Sequence, residues 1–407
     1  MLANFDSKFS GSAKAMKRSA IREILKLIQK PGMISFAGGL PSPESFPVKE
    51  IKEITSFILE NQGAEALQYG TTEGDSLLRE MIIKRHREQG LDISPENLAI
   101  STGSQQALDL LGKIFLDPGD YVICGLPSYL GGITAFNIYG AKLKGIPFDE
   151  KGMHPGMLEE AVTQITALGK KIKFIYLIPD FQNPAGITMP ESRRTEILEI
   201  ADRFDIIIIE DSPYREIRFE GKSQKLVYEL DRSGRVITLF TFSKIFAPGM
   251  RLGWMIGHHD IVDKFIMAKQ SADVCSPVLP QKIVAEYIRR GLLDKNLGKT
   301  VDMYRRRKDF MLECFSRYMP EGVSWTKPEG GLFLFVTLPK NLNADEVFKK
   351  AIENNVAFVK GSVFFCDDTG KNTMRINFSY SGEDLIDEGI KRLAMVITEM
   401  LREAPAS

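Results

Sequence analysis

Residues 236–257 read VITLFTFSKIFAPGMRLGWMIG, and they predict a buried strand that ends at a reactive lysine. The first five residues are apolar or β-branched, which is typical of a strand inside a sheet. Ser243-Lys244 follows at once, and Pro248-Gly249 marks a turn. Burial favours the neutral, nucleophilic form of a lysine amine, and such amines form Schiff bases with aldehydes. A surface lysine in a polar loop is the alternative for this stretch alone.

Length and composition set the broad class of the protein. The 407 residues suggest two domains, and 43% hydrophobic with 26% charged residues is ordinary for a globular chain. Lys+Arg and Asp+Glu balance at 53 each, so neither nucleic acid nor an anionic membrane is an expected partner. The four cysteines have no CxxC spacing and the histidines no HExxH spacing, so we expect no disulfide framework and no metal site. Without a signal peptide or a membrane-spanning run, the expected location is the cytoplasm.

Most of the chain alternates apolar strands with amphipathic helices. The strands do not alternate between polar and apolar residues, and helices separate them along the chain. This pattern predicts a mainly parallel sheet that helices cover on both faces, as in proteins of the α/β class. Residues 46–288 are predicted to form this large domain. Residues 289–407 suit a smaller α+β domain, to which the arm and helix of residues 1–45 are assigned. Polar motif residues follow the C-terminal ends of the strands, where open α/β sheets bind ligands.

Several of these motifs occur in an order that resembles the fold type I aminotransferases, which use pyridoxal phosphate. The residues that carry the resemblance are Asn183-Pro184, Asp211, Tyr214, Ser243-Lys244, Arg251 and Arg375. The resemblance covers nearly the whole chain and implies a seven-stranded type of sheet in the large domain. SFAGGLPSPESFP, STGSQQALDL and FQNPAG further resemble the branch of 2-aminoadipate and kynurenine/aminoadipate aminotransferases. Related transcription regulators add an N-terminal helix-turn-helix domain, which is not expected in this chain.

The resemblance implies a role for each residue around the cofactor ring. Lys244 would hold the cofactor covalently and then move the α-proton of the substrate. Asp211 would pair with the pyridine nitrogen, although Glu210 beside it leaves that choice open from the sequence. Tyr214 and Asn183 would bind the 3-oxygen of the ring. Tyr129 would stack against the face of the cofactor ring.

The implied phosphate cup combines hydroxyl and amide groups with one arginine. Its members would be Ser104, Gln105, Thr241, Ser243 and Arg251. A helix beginning at Ser104 would add backbone N–H groups, which bind anions. Tyr69 would reach the phosphate of a neighbouring subunit, so the resemblance also implies a homodimer.

The implied substrate site centres on Arg375, which would grip the α-carboxylate through two parallel hydrogen bonds. Asn183 and the backbone at Gly39 would lie beside the same carboxylate. Ser19 and Arg22 match positions at which related enzymes bind a distal carboxylate, but Arg22 also falls on the polar face of its predicted helix.

The expected reaction is a ping-pong transfer of an amino group between an amino acid and a 2-oxo acid. 2-Aminoadipate, glutamate, leucine and aromatic amino acids are the candidate donors, and 2-oxoglutarate is the expected acceptor. Because fold does not fix reaction, a lyase or decarboxylase on the same scaffold stays open. A sensor that binds the cofactor and catalyses weakly is the alternative from another class.

Overall fold

The computed structural model describes residues 5–16 and 32–403. The strands in chain order are β1 (Ile34–Ser35), β2 (Leu98–Ser101), β3 (Tyr121–Leu126), β4 (Lys142–Asp149), β5 (Gly152–Met153), β6 (Ile172–Leu177), β7 (Ile207–Asp211), β8 (Val236–Thr241), β9 (Gly253–Ile256), β10 (Ser324–Trp325), β11 (Phe333–Thr337), β12 (Val356–Ala357), β13 (Val359–Lys360) and β14 (Thr373–Asn377). The α-helices are α1 (Gly11–Ala15), α2 (Val48–Ala66), α3 (Ser76–Glu88), α4 (Ser104–Phe115), α5 (Leu130–Ile138), α6 (Pro155–Ala167), α7 (Glu191–Arg203), α8 (Val227–Leu230), α9 (His259–Gln270), α10 (Val278–Arg289), α11 (Leu292–Tyr318), α12 (Ala344–Glu353) and α13 (Glu383–Glu403).

Within the described residues, eight strands form one large sheet in the order β2-β9-β8-β7-β6-β3-β4-β5. The pairs from β8 through β7, β6 and β3 to β4 are parallel, whereas β9 runs antiparallel to both of its neighbours. The prediction of a mainly parallel sheet is confirmed. Residues 242–252 join β8 to β9 without an α-helix, a connection shorter than the crossover of about a dozen or more residues that a parallel strand requires.

Apolar side chains explain why this sheet is buried on both faces. Every residue of β8 is buried, as the continuous apolar run at 236–240 predicts. Helix α4 packs its apolar stripe, including Ala107, Leu108 and Leu111, into the hydrophobic core on one face. Helices α6 and α7 contribute to a second cluster with the alternate residues of β6 and β7.

A smaller α+β unit follows the large sheet. Strands β10, β11, β14 and β13 form an antiparallel sheet in that order, and α11 contacts α13 beside it. The N-terminal strand β1 pairs in parallel with β12, joining Ile34 to Val356. The assignment of residues 1–45 to the domain of residues 289–407, like the boundaries at 46 and 288, stays a prediction.

The connections bring polar residues to one edge of the large sheet. Asp211 is the last residue of β7, Thr241 is the last residue of β8, and Ser104 opens α4 just after β2. These strands are parallel, so their C-terminal ends meet at the same edge. Among the helices of the described residues, none is long and apolar enough to span a membrane.

Candidate active site

A cavity of about 530 Å³ opens at this edge of the large sheet. Twelve of the residues singled out from the sequence line it: Gly39, Ser104, Gln105, Tyr129, Asn183, Asp211, Tyr214, Thr241, Ser243, Lys244, Arg251 and Arg375. They come from segments as far apart as residues 39 and 375, so the fold has assembled them. A larger groove of about 820 Å³, lined by Asp149, Trp325 and Lys327 among others, contains none of the twelve.

Lys244 follows β8 and projects into the cavity. Its Nζ donates a hydrogen bond to the Gly39 carbonyl oxygen at 2.7 Å. Burial, with the nearby charges of Arg375 and Arg251, lowers the pKa of Lys244 to about 8. A larger fraction of the amine is therefore neutral near pH 7 than for an exposed lysine, which is the condition for a nucleophilic amine.

Asp211 and Glu210 lie side by side on β7, so their side chains leave opposite faces of the sheet. The Glu210 carboxylate accepts hydrogen bonds from the backbone of Val227 and Tyr228 and from the Thr238 hydroxyl. These hydrogen bonds join β7 to neighbouring parts of the fold, and the Glu210 side chain does not line the cavity. Of the two acids, Asp211 is the one that lines the cavity, and its role toward the cofactor stays a prediction.

The two carboxylate oxygens of Asp211 differ in their surroundings. Oδ2 accepts a hydrogen bond from the Tyr176 hydroxyl at 2.8 Å. Oδ1 is buried and has no hydrogen-bond partner among the described residues. Burial raises the pKa of Asp211 to about 7. A buried oxygen without a partner is costly unless a ligand satisfies it, so Oδ1 fits a bound N–H donor.

Tyr214, Asn183 and Arg375 form one chain of contacts across the cavity. The Asn183 amide nitrogen donates to the Tyr214 hydroxyl at 3.4 Å, and the Asn183 amide oxygen accepts from Arg375 Nη1 at 2.9 Å. Burial raises the pKa of Tyr214, which keeps the hydroxyl protonated. Asn183 therefore couples the tyrosine hydroxyl to the arginine.

Arg375, only 1% exposed, lies on β14 of the small sheet. Its guanidinium carbon is 4.2 Å from the centre of the Phe333 ring and 5.1 Å from that of Phe364, and Nη2 donates to the Ala37 carbonyl. Burial lowers the pKa of Arg375 to about 10, so it stays charged at neutral pH. With no carboxylate bonded to it in the described structure, this cation is suited to an anionic ligand.

Another part of the cavity lining is built around Arg251. Its Nη1 lies 3.5 Å from the Ser243 hydroxyl, and Nη2 lies 3.5 Å from the Thr102 carbonyl oxygen. Gly103 precedes α4 with φ +77°, and a Cβ there would lie 2.6 Å from Arg251 Nη2. The glycine thus lets the arginine approach the first turn of α4, where free backbone N–H groups attract anions.

Hydroxyl and amide groups surround this arginine. The Thr241 hydroxyl donates to the Ser243 hydroxyl at 2.9 Å, and Gln105 donates to the Gly131 carbonyl. The Tyr129 hydroxyl lies 3.4 Å from the Gln105 side-chain oxygen, at the mouth of the cavity. The predicted cup residues therefore lie together, and their binding roles stay predictions.

One predicted residue that the structure describes, Tyr69, lies apart from this cavity. Tyr69 does not line it and is 81% exposed on the loop that follows α2. Ser19 and Arg22 fall outside the described residues.

The sequence reasoning missed several residues of the cavity. Leu40, Leu130, Thr134 and Ile178 add a largely apolar wall, and Tyr176 lies beneath Asp211. A tyrosine inside an apolar strand is usually a core residue, so Tyr176 carried no signal of its own. Leu40 directly follows the predicted Gly39, and Leu130 directly follows the predicted Tyr129, so proximity in the sequence was the available clue for these two.

The residues present fit pyridoxal phosphate. A buried amine, a carboxylate oxygen without a partner and an arginine beside a helix N-terminus match its aldehyde, its ring nitrogen and its phosphate. The buried Arg375 offers a separate site for the carboxylate of a substrate.

The fold defines a pyridoxal-phosphate-dependent transferase of fold type I. The chain belongs to the family of class I and II aminotransferases, whose sequence profile matches residues 31–393. Pyridoxal 5′-phosphate is accordingly its cofactor, and its reaction is an amino transfer in amino acid metabolism.

Three similar proteins illustrate the range of the family. Aromatic-amino-acid aminotransferase 1 of Thermococcus litoralis is 46% identical over 98% of this chain and 96% of its own. A crystal structure of Pyrococcus horikoshii kynurenine aminotransferase, in complex with PMP, matches with a TM-score of 0.94 at 46% identity over 98% and 99% of the two chains. LysN, the α-aminoadipate aminotransferase of Thermus thermophilus complexed with N-(5′-phosphopyridoxyl)-L-leucine, matches with a TM-score of 0.91 at 37% identity over 99% and 100%.

Proposed function

We propose that this aminotransferase accepts both dicarboxylic and large apolar amino acids. 2-Aminoadipate, glutamate, leucine and aromatic amino acids are the proposed donors, with 2-oxoglutarate as one acceptor in a ping-pong cycle. The observation that carries the proposal is the cavity itself, whose lining combines the buried Arg375 and Lys244 with an apolar wall. The relatives named for aromatic, kynurenine and aminoadipate activity support the same breadth.

When bound, pyridoxal phosphate withdraws electrons from the α-carbon of the amino acid and carries the amino group between the two substrates. Arg375 would bind the α-carboxylate, because its Nη atoms form a planar fork that matches two carboxylate oxygens. Lys244 Nζ would take the proton from the α-carbon. A lysine with a pKa of about 8 is roughly one-tenth neutral at pH 7, far more than an exposed lysine.

The remaining polar residues would hold the cofactor. Asp211 Oδ1 would accept the hydrogen bond of the protonated ring nitrogen, and Tyr214 with Asn183 would bind the ring 3-oxygen. Arg251, Ser243, Thr241 and the first turn of α4 with Ser104 and Gln105 would bind the phosphate. Tyr129 would lie against the ring face.

The apolar wall of the cavity would contact the side chain of the substrate. Leu40 and Leu130 lie at the mouth of the cavity, and Ile178 follows β6 in its interior. In the described part of the lining, the cations are Lys244, Arg251 and Arg375, all of which have proposed partners. For a distal carboxylate we propose Arg22 together with Ser19, both of which fall outside the described residues.

We also propose a homodimer in which Tyr69 reaches the phosphate site of the partner subunit. Its 81% exposure and the 74% exposure of neighbouring Leu67 support a subunit contact at this loop. Sedimentation with and without the substitution Tyr69→Phe, together with cofactor affinity, tests this arrangement. A monomer of full activity would contradict it.

The proposed substrates are tested by initial rates for a panel of amino acids with 2-oxoglutarate. We expect turnover with 2-aminoadipate, glutamate, leucine and phenylalanine. Each donor should also give one equivalent of its 2-oxo acid per chain when no acceptor is present. Release of carbon dioxide or ammonia in place of the 2-oxo acid would favour the lyase or decarboxylase alternative. Failure of every donor would leave the sensor alternative.

A further inference from the structure

The hydrogen bond between Tyr176 and Asp211 follows from the register of two neighbouring strands. Tyr176 on β6 pairs with Ile209 on β7, and Asp211 lies two residues beyond Ile209 on the same face. The tyrosine hydroxyl therefore reaches Asp211 Oδ2, at 2.8 Å. This leaves the other carboxylate oxygen, Oδ1, as the one without a partner in the described structure.

Packing holds the Tyr176 ring in this position. The ring is 1% exposed and meets Phe136 edge to face, with ring centres 5.4 Å apart. Gly132, one turn before Phe136 on α5, also contacts the ring: an added Cβ there would be 2.8 Å from the tyrosine ring and 3.2 Å from its hydroxyl. Glycine is a poor helix former, so its place inside α5 is best explained by the space that Tyr176 needs.

The electrostatic effect of the contact opposes that of burial. Burial raises the pKa of Asp211 to about 7, and the hydrogen bond from Tyr176 lowers it. Burial holds the pKa of Tyr176 well above its usual range, so the hydroxyl stays a donor. The other ionisable groups that line the cavity are Tyr129, Tyr214, Lys244, Arg251 and Arg375.

We infer that Tyr176 is a positioning residue for the cofactor. It fixes the orientation and the charged state of Asp211 from beneath, and Gly132 provides the space that this requires. The inference rests on the proposed role of Asp211, and it assigns the two carboxylate oxygens separate tasks. Oδ2 is held by the protein, whereas Oδ1 is directed at the cofactor ring nitrogen.

The test is the protonation of that nitrogen, measured by NMR on enzyme reconstituted with pyridoxal phosphate labelled with ¹⁵N in the ring. In Tyr176→Phe the pKa of Asp211 should rise, so the proton shifts toward the acid and the ¹⁵N signal moves toward the unprotonated position. The acid limb of the kcat/KM profile should move to higher pH, and kcat/KM should fall roughly tenfold to a hundredfold.

Tyr139→Phe is the matched control. The Tyr139 hydroxyl also donates to an aspartate, Asp109, at 3.2 Å, and its ring also packs on a glycine, Gly112, but it lies outside the cavity. This variant should leave the ¹⁵N signal and the pH profile unchanged. Equal changes in Tyr176→Phe and Tyr139→Phe, or none in either, would overturn the inference.

Gly132→Ala provides a second approach that keeps the tyrosine. It should displace the hydroxyl from Asp211 and move the ¹⁵N signal in the same direction as Tyr176→Phe. If the folded variants Gly132→Ala and Tyr176→Phe both keep the wild-type ¹⁵N signal, the inference is overturned. If Asp211→Asn shifts the ¹⁵N signal in that case, the proposed function still stands. An unchanged signal in Asp211→Asn would instead remove Asp211 from the site.

Discussion

Asp211→Asn is expected to slow amino transfer severely while leaving the fold and much of the cofactor binding intact. The side chain is 2% exposed, and its Oδ1 has no partner within the described residues. An asparagine keeps the shape and can still contact Tyr176, but its neutral amide cannot keep the ring nitrogen protonated. Removing one partner of a buried charged pair costs about 3–5 kcal/mol. At about 1.4 kcal/mol per decade, this is on the order of a hundredfold to several thousandfold in rate.

The assay is the single-turnover rate of 2-oxo acid formation from a saturating amino acid, with Glu210→Gln as the control. Glu210 is fully buried, but its partners are the backbone at residues 227 and 228, the Thr238 hydroxyl and, as an ion pair at 3.8 Å, Arg194. Its amide variant should lower the melting temperature and leave the rate of the folded enzyme within a few-fold of wild type. A near-normal rate for Asp211→Asn, or a larger loss for Glu210→Gln, would refute the reasoning.

Three further predictions concern individual groups of the site. Arg375→Lys should lower kcat/KM for every amino acid about tenfold to a hundredfold, because an ammonium cannot form the two parallel hydrogen bonds. Steady-state kinetics measures this loss, and the surface variant Arg392→Lys is the control. Reconstitution of the cofactor-free protein with pyridoxal phosphate should become roughly tenfold faster between pH 7 and pH 9 and then level off, because the pKa of Lys244 is lowered to about 8 and the neutral amine reacts. A rate that keeps rising beyond pH 10 would indicate a lysine with an ordinary pKa. Arg22→Ala should raise KM for 2-aminoadipate and glutamate about tenfold, a change of about 1.4 kcal/mol, and spare leucine; equal effects on both substrate classes would place Arg22 at the surface.

The sequence predicted the large sheet because its strands are strongly patterned. Continuous apolar runs such as residues 236–240 have few alternatives to a buried strand. Polar residues at the ends of those runs then had to meet at one edge. The antiparallel direction of β9 was not predicted, because the order and direction of strands depend on connections and packing.

Pairs of neighbouring residues were harder to resolve from sequence. Glu210 and Asp211 are both acids at the end of an apolar run, and only the strand register shows which one faces the cavity. Tyr176 became visible as a partner of Asp211 only when β6 and β7 were placed side by side. Contacts across strands leave no local pattern, so the sequence alone could not reveal them.

The central claim is that Lys244 is the amine that carries the cofactor. Borohydride reduction of the holoenzyme, followed by peptide mapping, measures directly which lysine is joined to it. We predict that the cofactor is recovered on the peptide containing Lys244, and that Lys244→Ala retains none covalently and has no amino transfer. Recovery of the cofactor on another lysine, in the wild type or in this variant, would contradict the claim.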